Sequence, residues 1–269
     1  MILSIVIPVH NEEGSVQATV TEIYSTLDRH GIPHEILVIN DHSKDGTEQI
    51  LNTLTKTIPS LRYLNNPGAN GFGYAVRVGL ENFSGDCVAV MMGDMSDSPD
   101  DLVKFYNKML EGFDCVFGSR FMKGGKTFDY PRVKLVINRM ANFIVQVSFG
   151  IRYNDTTNAF KLYKRNTING LKPFLSPHFN LTLELPLKSI VRGYTYAVVP
   201  NTWTNRKAGK SKLKIREMGS RYFFILLYCL IEKFFSRGDF RKEVTVAPGK
   251  QQLSDAPASP VPQRPLVLN

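Results

Sequence analysis

The chain opens on an apolar run, MILSIVIPVH, that is rich in β-branched residues and ends in polar ones. It lacks the basic leader, longer apolar stretch and small-residue cleavage site of a signal peptide, so it reads as a buried strand. Val16, Val20, Ile23 and Leu27 then recur at steps of three and four, the period of a helix with one apolar face. EILVIN (35–40) is a second apolar strand, followed by the turn-rich DHSKDGT, where Asp45 can cap a helix carrying Ile50, Leu51 and Leu54. LRYL (61–64), CVAVMM (87–92) and DCVFG (114–118) read as further strands, and NNPGANGFG as a glycine-rich loop before a helix with Ala75, Val78 and Leu80. Later the alternation loosens: a helix over 134–149, a strand AFKLY (159–163), a mainly helical 181–191 and a strand YTYAVVP (194–200). Strands alternating with helices predict an α/β domain with a mostly parallel central sheet flanked by helices.

Ligands of such sheets bind beyond the carboxyl ends of the strands. Polar clusters stand there: His10-Asn11-Glu12 after the first strand, Asn40-Asp41 after the second, and Asp94 to Asp97 after the fourth. Their convergence predicts one cleft.

Near the end, Tyr222–Ile231 is a run of ten apolar residues between Arg216, Arg221 and Lys233. At about 1.5 Å per residue this covers roughly 15 Å, half of a bilayer core. A basic, aromatic amphipathic helix over 216–238 therefore suits a membrane interface, and equally suits packing on the domain or in a homodimer. Residues 239–269, with five prolines, read as a disordered tail. The 269-residue chain divides on this reading into a 1–215 catalytic domain, the helix and the tail.

Charge sharpens the picture. The net +9 is carried by residues 188–242, where 13 Lys and Arg face 3 Asp and Glu. A localised positive block implies an anionic partner. Without aromatic interleaving, zinc spacing or a helix-turn-helix signal, nucleic acid is not that partner. Three scattered cysteines exclude a disulfide framework and fit a reducing compartment.

Four segments carry candidate chemistry. In MMGDMSDSPDD (91–101), Asp94 and Asp97 follow a strand and precede Pro99. Carboxylates so placed bind Mg2+ or Mn2+ beside substrate phosphates; helix capping is the competing role, and Asp100 and Asp101 suit the helix dipole alone. Pro8, Asn11, Glu12 and Asp41 could border a base and ribose, although each alone reads as a cap or turn residue. Gly68, Gly71 and Gly73 allow close backbone approach to a ligand, but their spacing is not that of a dinucleotide-binding dehydrogenase. Arg206, Lys207, Lys210 and Lys212 could clamp a diphosphate or simply face solvent.

Taken in order, these segments resemble family 2 glycosyltransferases, most of all the dolichol- or polyprenyl-phosphate sugar synthases. IPVHNEE is similar to the family's IPxYNE, with His10 at the aromatic position. NDHSKDGT is similar to DDGSxDGT, with Asn40 and Asp41 at the two leading carboxylates. GFGYAVRVGL, FGSRF, NDTTNAFKLYKR and NRKAGKSKLK match further family segments, which place Gly71, Arg120, Asp155, Arg206 and Lys212. The family's D-x-D is altered: Met92 stands at the first Asp, Asp94 at the second, Ser96 at the next ligand position, and Asp97 is the candidate replacement.

The resemblance implies a GT-A fold and inverting transfer of a sugar from a nucleotide-diphosphate donor. Pro8, His10, Glu12, Asn40, Asp41, Gly71, Arg206 and Lys212 would bind the donor; Asp94 and Asp97 would hold Mg2+ or Mn2+. If the acceptor is a polyprenyl phosphate, Arg120 and Arg132 would position it and no base is needed. If it is a sugar hydroxyl, as in a transferase that extends a lipid-linked or surface polysaccharide, Asp155 or else Glu184 would be the base; either could instead be salt-bridged to a nearby Arg. Loss of the first Asp also admits a non-catalytic nucleotide-sugar-binding scaffold. The implied location is the cytoplasmic face of an anionic membrane.

Overall fold

The computed structural model describes residues 1–205 and 215–242, with side chains in the last helix described from residue 219. Seven strands form one sheet: β1 (Leu3–Val9), β2 (His34–Asn40), β3 (Leu61–Asn65), β4 (Cys87–Val90), β5 (Cys115–Ser119), β7 (Lys161–Lys164) and β8 (Tyr196–Pro200). Their order is β3-β2-β1-β4-β7-β5-β8. All neighbours are parallel except β7, which runs antiparallel between β4 and β5. A small parallel pair, β6 (Lys126–Phe128) with β9 (Thr202–Thr204), lies apart.

The apolar strands are buried on both faces, which is why they read as continuous runs rather than alternating ones. One face of the sheet packs on α1 (Val16–Arg29), α2 (Thr47–Leu54) and α4 (Pro99–Leu110), in a core containing Ile5, Val20, Ile23 and Phe105. The other packs on α3 (Phe72–Asn82), α6 (Arg165–Gly170) and α7 (Leu181–Val191), around Val6, Leu37, Ala75 and Phe117. Gly73 starts α3 where a Cβ would come within 2.5 Å of the Pro177 backbone, so only glycine lets this helix approach the 176–178 segment.

α5 (Arg132–Phe149) and α8 (Ile215–Phe235) complete the chain, meeting α7 in a third cluster of Val145, Phe149, Leu183, Leu187, Ile225 and Cys229. Buried ion pairs tie this layer together. Arg192 Nε donates to Glu232 at 2.7 Å, and Lys188 Nζ donates to Glu184 at 2.6 Å. Beyond α8, Lys242 reaches back to Asp114 at 2.8 Å. The three cysteines are free and buried.

β6, β9 and α6 have no counterpart in the sequence pattern. Asp101 also does more than favour a helix dipole: at 2% exposure it accepts the Thr202 N–H at 2.6 Å and joins β9 to α4. The tail beyond residue 242 lies outside the described residues.

Candidate active site

The carboxyl ends of β1, β2 and β4 open on a cleft of about 480 Å3. The loops there hold three non-glycine residues in left-handed backbone, Asn11 (φ 55°), His42 (φ 57°) and Met95 (φ 60°). Such conformations persist only where the surroundings fix them, and they concentrate at functional sites. Around Asn11 the fixing bonds are visible: its N–H donates to Ser43 Oγ at 2.9 Å, and its Oδ1 accepts the Lys44 N–H at 2.7 Å.

Pro8, His10, Glu12, Asp41 and Gly71 line one side of the cleft. Asp41 organises it. Its Oδ1 accepts Asn66 Nδ2 at 2.7 Å, its Oδ2 accepts the Gly71 N–H at 2.8 Å, and its carbonyl meets His10 Nδ1 at 2.5 Å. Asn40 is different. It is buried, bonds Asn65 and the Ser43 N–H, and does not line the cleft. The donor contact expected of it is corrected to support of the loop beneath.

Asp94, Ser96 and Asp97 stand on the floor. Ser15 and Thr19 hydroxyls hold the Gly93 carbonyl, the Ser96 N–H donates to Asp94 Oδ1 at 3.1 Å, and the Met92 N–H donates to Asp97 Oδ2 at 3.1 Å. Burial, with added repulsion from Asp94, pushes the Asp97 carboxyl up to about 7, against the Met92 hydrogen bond. Ser96 Oγ is buried without a hydrogen-bond partner among the described residues. Two carboxylates and an orphaned hydroxyl in one water-poor corner are hard oxygen donors that fit a divalent cation. Among the described residues no group of three or more His, Cys, Asp or Glu could hold a metal alone. The remaining ligands would come from a bound phosphate, the usual arrangement for Mg2+.

Opposite stands Arg120, 8% exposed and lining the cleft. Its Nε, Nη2 and backbone N–H donate to Asp155 at 2.8, 2.7 and 2.9 Å. Asp155 itself is fully buried and does not line the cleft. Both its oxygens are occupied, so the base expected of Asp155 is corrected to a carboxylate that aims Arg120. Glu184 is likewise corrected: also fully buried, it pairs with Lys188 and accepts the N–H groups of Leu175 and Ser176 at 2.8 and 2.7 Å. Arg132 is exposed at the start of α5 and does not line the cleft; Lys134 and Asn138, two and six residues on, do. Arg206 and Lys212 lie outside the described residues.

Sequence reasoning missed much of this wall. Tyr130, Lys134, Asn138, His178, Phe179, Trp203, Arg221 and Tyr222 all line the cleft. Trp203 is the chain's single tryptophan. It bridges to Asp97 and packs on Tyr130 with ring centroids 4.8 Å apart. Its uniqueness and its place next to the basic segment were the available signals. Arg221 and Tyr222 show that α8 helps to wall the cleft.

Comparison with known proteins follows this geometry. A family model described as Glycosyl transferase family 2 matches residues 4–171. The Dolichol-phosphate mannosyltransferase of Pyrococcus furiosus is 29% identical over 220 residues, 80% of this chain and 60% of that protein. The chain thus spans less than two thirds of that relative. The Polyprenol monophosphomannose synthase of Mycolicibacterium smegmatis is 27% identical over 216 residues, 78% of this chain and 80% of that one. Among solved structures, glucosyl-3-phosphoglycerate synthase from Mycobacterium tuberculosis in complex with UDP superposes with a TM-score of 0.64 at 18% identity, covering 85% of this chain and 79% of its own. The same enzyme with Mn2+, UDP and phosphoglyceric acid gives 0.65 at 19%, covering 85% and 78%. At such identity the likeness shows the fold, a GT-A glycosyltransferase domain.

Proposed function

Because the chain belongs to glycosyl transferase family 2, we propose that it transfers a sugar, with inversion, from a nucleotide-diphosphate donor to a polyprenyl phosphate. The names of both curated relatives support a lipid-phosphate acceptor and a mannosyl group. One observation carries the choice of acceptor. The wall opposite the donor loops presents Arg120, Lys134, Arg221 and Asn138, while the two carboxylates expected as bases, Asp155 and Glu184, are fully buried in ion pairs and do not line the cleft. A phosphate oxygen is already anionic and needs cations to steer it rather than a base; a sugar hydroxyl needs a base.

His10, Asp41 and Gly71 form the donor side, and Arg206 and Lys212 would bind its diphosphate. Asp94 and Asp97, with Ser96 Oγ, would hold Mg2+ or Mn2+, the ions found with UDP in the solved neighbours. When bound, such an ion neutralises charge growing on the departing diphosphate. The protein's own task is to hold donor and acceptor in line and supply fixed cations to the leaving group. Among the described residues no helix is long and apolar enough to cross a membrane, and a lipid acceptor implies peripheral attachment, which we place at the cytoplasmic face.

The test is incubation with a panel of sugar nucleotides, polyprenyl phosphate and Mn2+, with products resolved as glycosyl phospholipid. Transfer to a hydroxyl glycan with none to the phosphate would reject the proposal.

A further inference from the structure

α5 is amphipathic in the wrong sense for a surface helix. Its inward stripe is Asn138, Asn142, Val145 and Phe149, half of it polar. Its outward stripe is Val133, Val136, Met140, Phe143 and Val147, between 57% and 73% exposed. α8 repeats the pattern. Ile225 and Cys229 are buried, while Phe223, Phe224, Phe234 and Phe235 are 58% to 77% exposed. The inward stripes of both helices meet in one cluster over α7, where the two helices touch each other, so the outward stripes face away from it. Apolar patches on soluble monomers rarely exceed a few hundred Å2, and larger ones mark a partner.

Charge identifies that partner. α5 carries Arg132, Lys134 and Arg139 and no acidic residue. Lys233, Arg237 and Arg241 edge the α8 side with Asp239 beside them, while Glu232 is buried against Arg192 and Lys242 is paired with Asp114. In a twofold dimer the same patch would face itself and oppose these cations. Anionic headgroups complement them, with the apolar stripes entering the acyl boundary.

We propose that the outward faces of α5 and α8 form one lipid-docking surface that inserts into an anionic bilayer and turns the cleft toward its headgroup layer. The cleft is walled by the opening turns of the same two helices, through Lys134 and Asn138 of α5 and Arg221 and Tyr222 of α8. Docking would thus set the cations that face the acceptor at the depth where a lipid phosphate lies. That last step rests on the polyprenyl-phosphate reading; the docking itself does not.

The test uses the full chain, sedimented with vesicles of phosphatidylcholine alone or with a quarter phosphatidylserine. Val136→Glu/Phe143→Glu and Phe224→Glu/Phe235→Glu each alter one helix at exposed positions. Wild type is expected to bind the anionic vesicles, and each double variant to bind them at least about tenfold more weakly. Transfer to a short, water-soluble isoprenyl phosphate should be unchanged in both, which also reports an intact fold. Full binding by the α5 variant would overturn the composite surface. So would a lipid-free dimer that either variant splits into monomers, because a second copy would then be the occupant. Vesicle binding without transfer to any isoprenyl phosphate would reject the enzymatic reading and leave the docking surface standing.

Discussion

Replacing Asp155 by Asn separates the two roles that a buried carboxylate beside this cleft can have. Asp155 accepts three hydrogen bonds from Arg120, at 2.7, 2.8 and 2.9 Å, with neither side chain more than 7% exposed. Asn keeps the shape but removes the charge, and its amide turns donors toward the guanidinium. Breaking a buried pair from one side costs roughly 3–5 kcal/mol, because the remaining charge is left uncompensated. Against a typical stability of about 5–15 kcal/mol, that is a large fraction. Urea unfolding should therefore show a loss of this order, and steady-state kinetics a raised KM for the acceptor as Arg120 loses its aim. Arg120→Lys should show the same KM effect, since an ammonium cannot reproduce the fork. An Asp155→Asn protein of unchanged stability and acceptor KM, with kcat lowered by about a hundredfold or more, would refute this and restore Asp155 as a base.

Glu184→Gln should lower the unfolding free energy measured in urea by a comparable amount, about 3–5 kcal/mol, while kcat and KM at permissive temperature stay near wild type. Asp94→Asn should abolish Mn2+-dependent transfer, on the order of 10²-fold or more, with a chelator doing the same to wild type; turnover that ignores both would remove the metal from the site. Acid should destabilise the fold through Glu35 and Asp114. Burial raises both, but hydrogen bonds outweigh it: Ser4, Ser84 and Arg62 hold Glu35 below its usual range, and Lys242 and Thr195 hold Asp114 below its own. Their stabilising effect is complete above their unfolded values of about 4 and is lost as pH falls through the lower folded ones. Urea midpoints should drop below about pH 4, where the raised Asp97 is protonated folded or unfolded and offers no opposing gain, and less steeply in Lys242→Met.

The strands were legible because burial on both sheet faces writes continuous apolar runs such as SIVIP and EILVI, and Gly73 in the first turn of α3 announced a close approach. β6 and β9 were not, since three-residue strands with half-exposed side chains carry no period. The loops lining the cleft were legible for the same reason as the strands: polar residues ending an apolar run stand out. Arg132 and Lys134 lie two residues apart, and only the rotation of α5 decides which of them faces the cleft. Asp155 and Glu184 show the same limit. A carboxylate near a motif looks chemical until its partners, Arg120 and Lys188, are placed in three dimensions. The exposed apolar stripe of α5 was invisible because a 3.6-residue period reveals an apolar face without saying whether it turns inward.

Trp203 gives the protein an optical property of its own. The single indole sits against Tyr130, with Lys134 Nζ 5.9 Å from its ring and its backbone bridged to Asp97. Its emission therefore comes from one place, beside the carboxylates that would meet a donor diphosphate and on the wall that would meet an acceptor. Excited selectively, the unmodified chain carries its own titration probe, whose quenching or spectral shift would report occupancy of either half of the cleft.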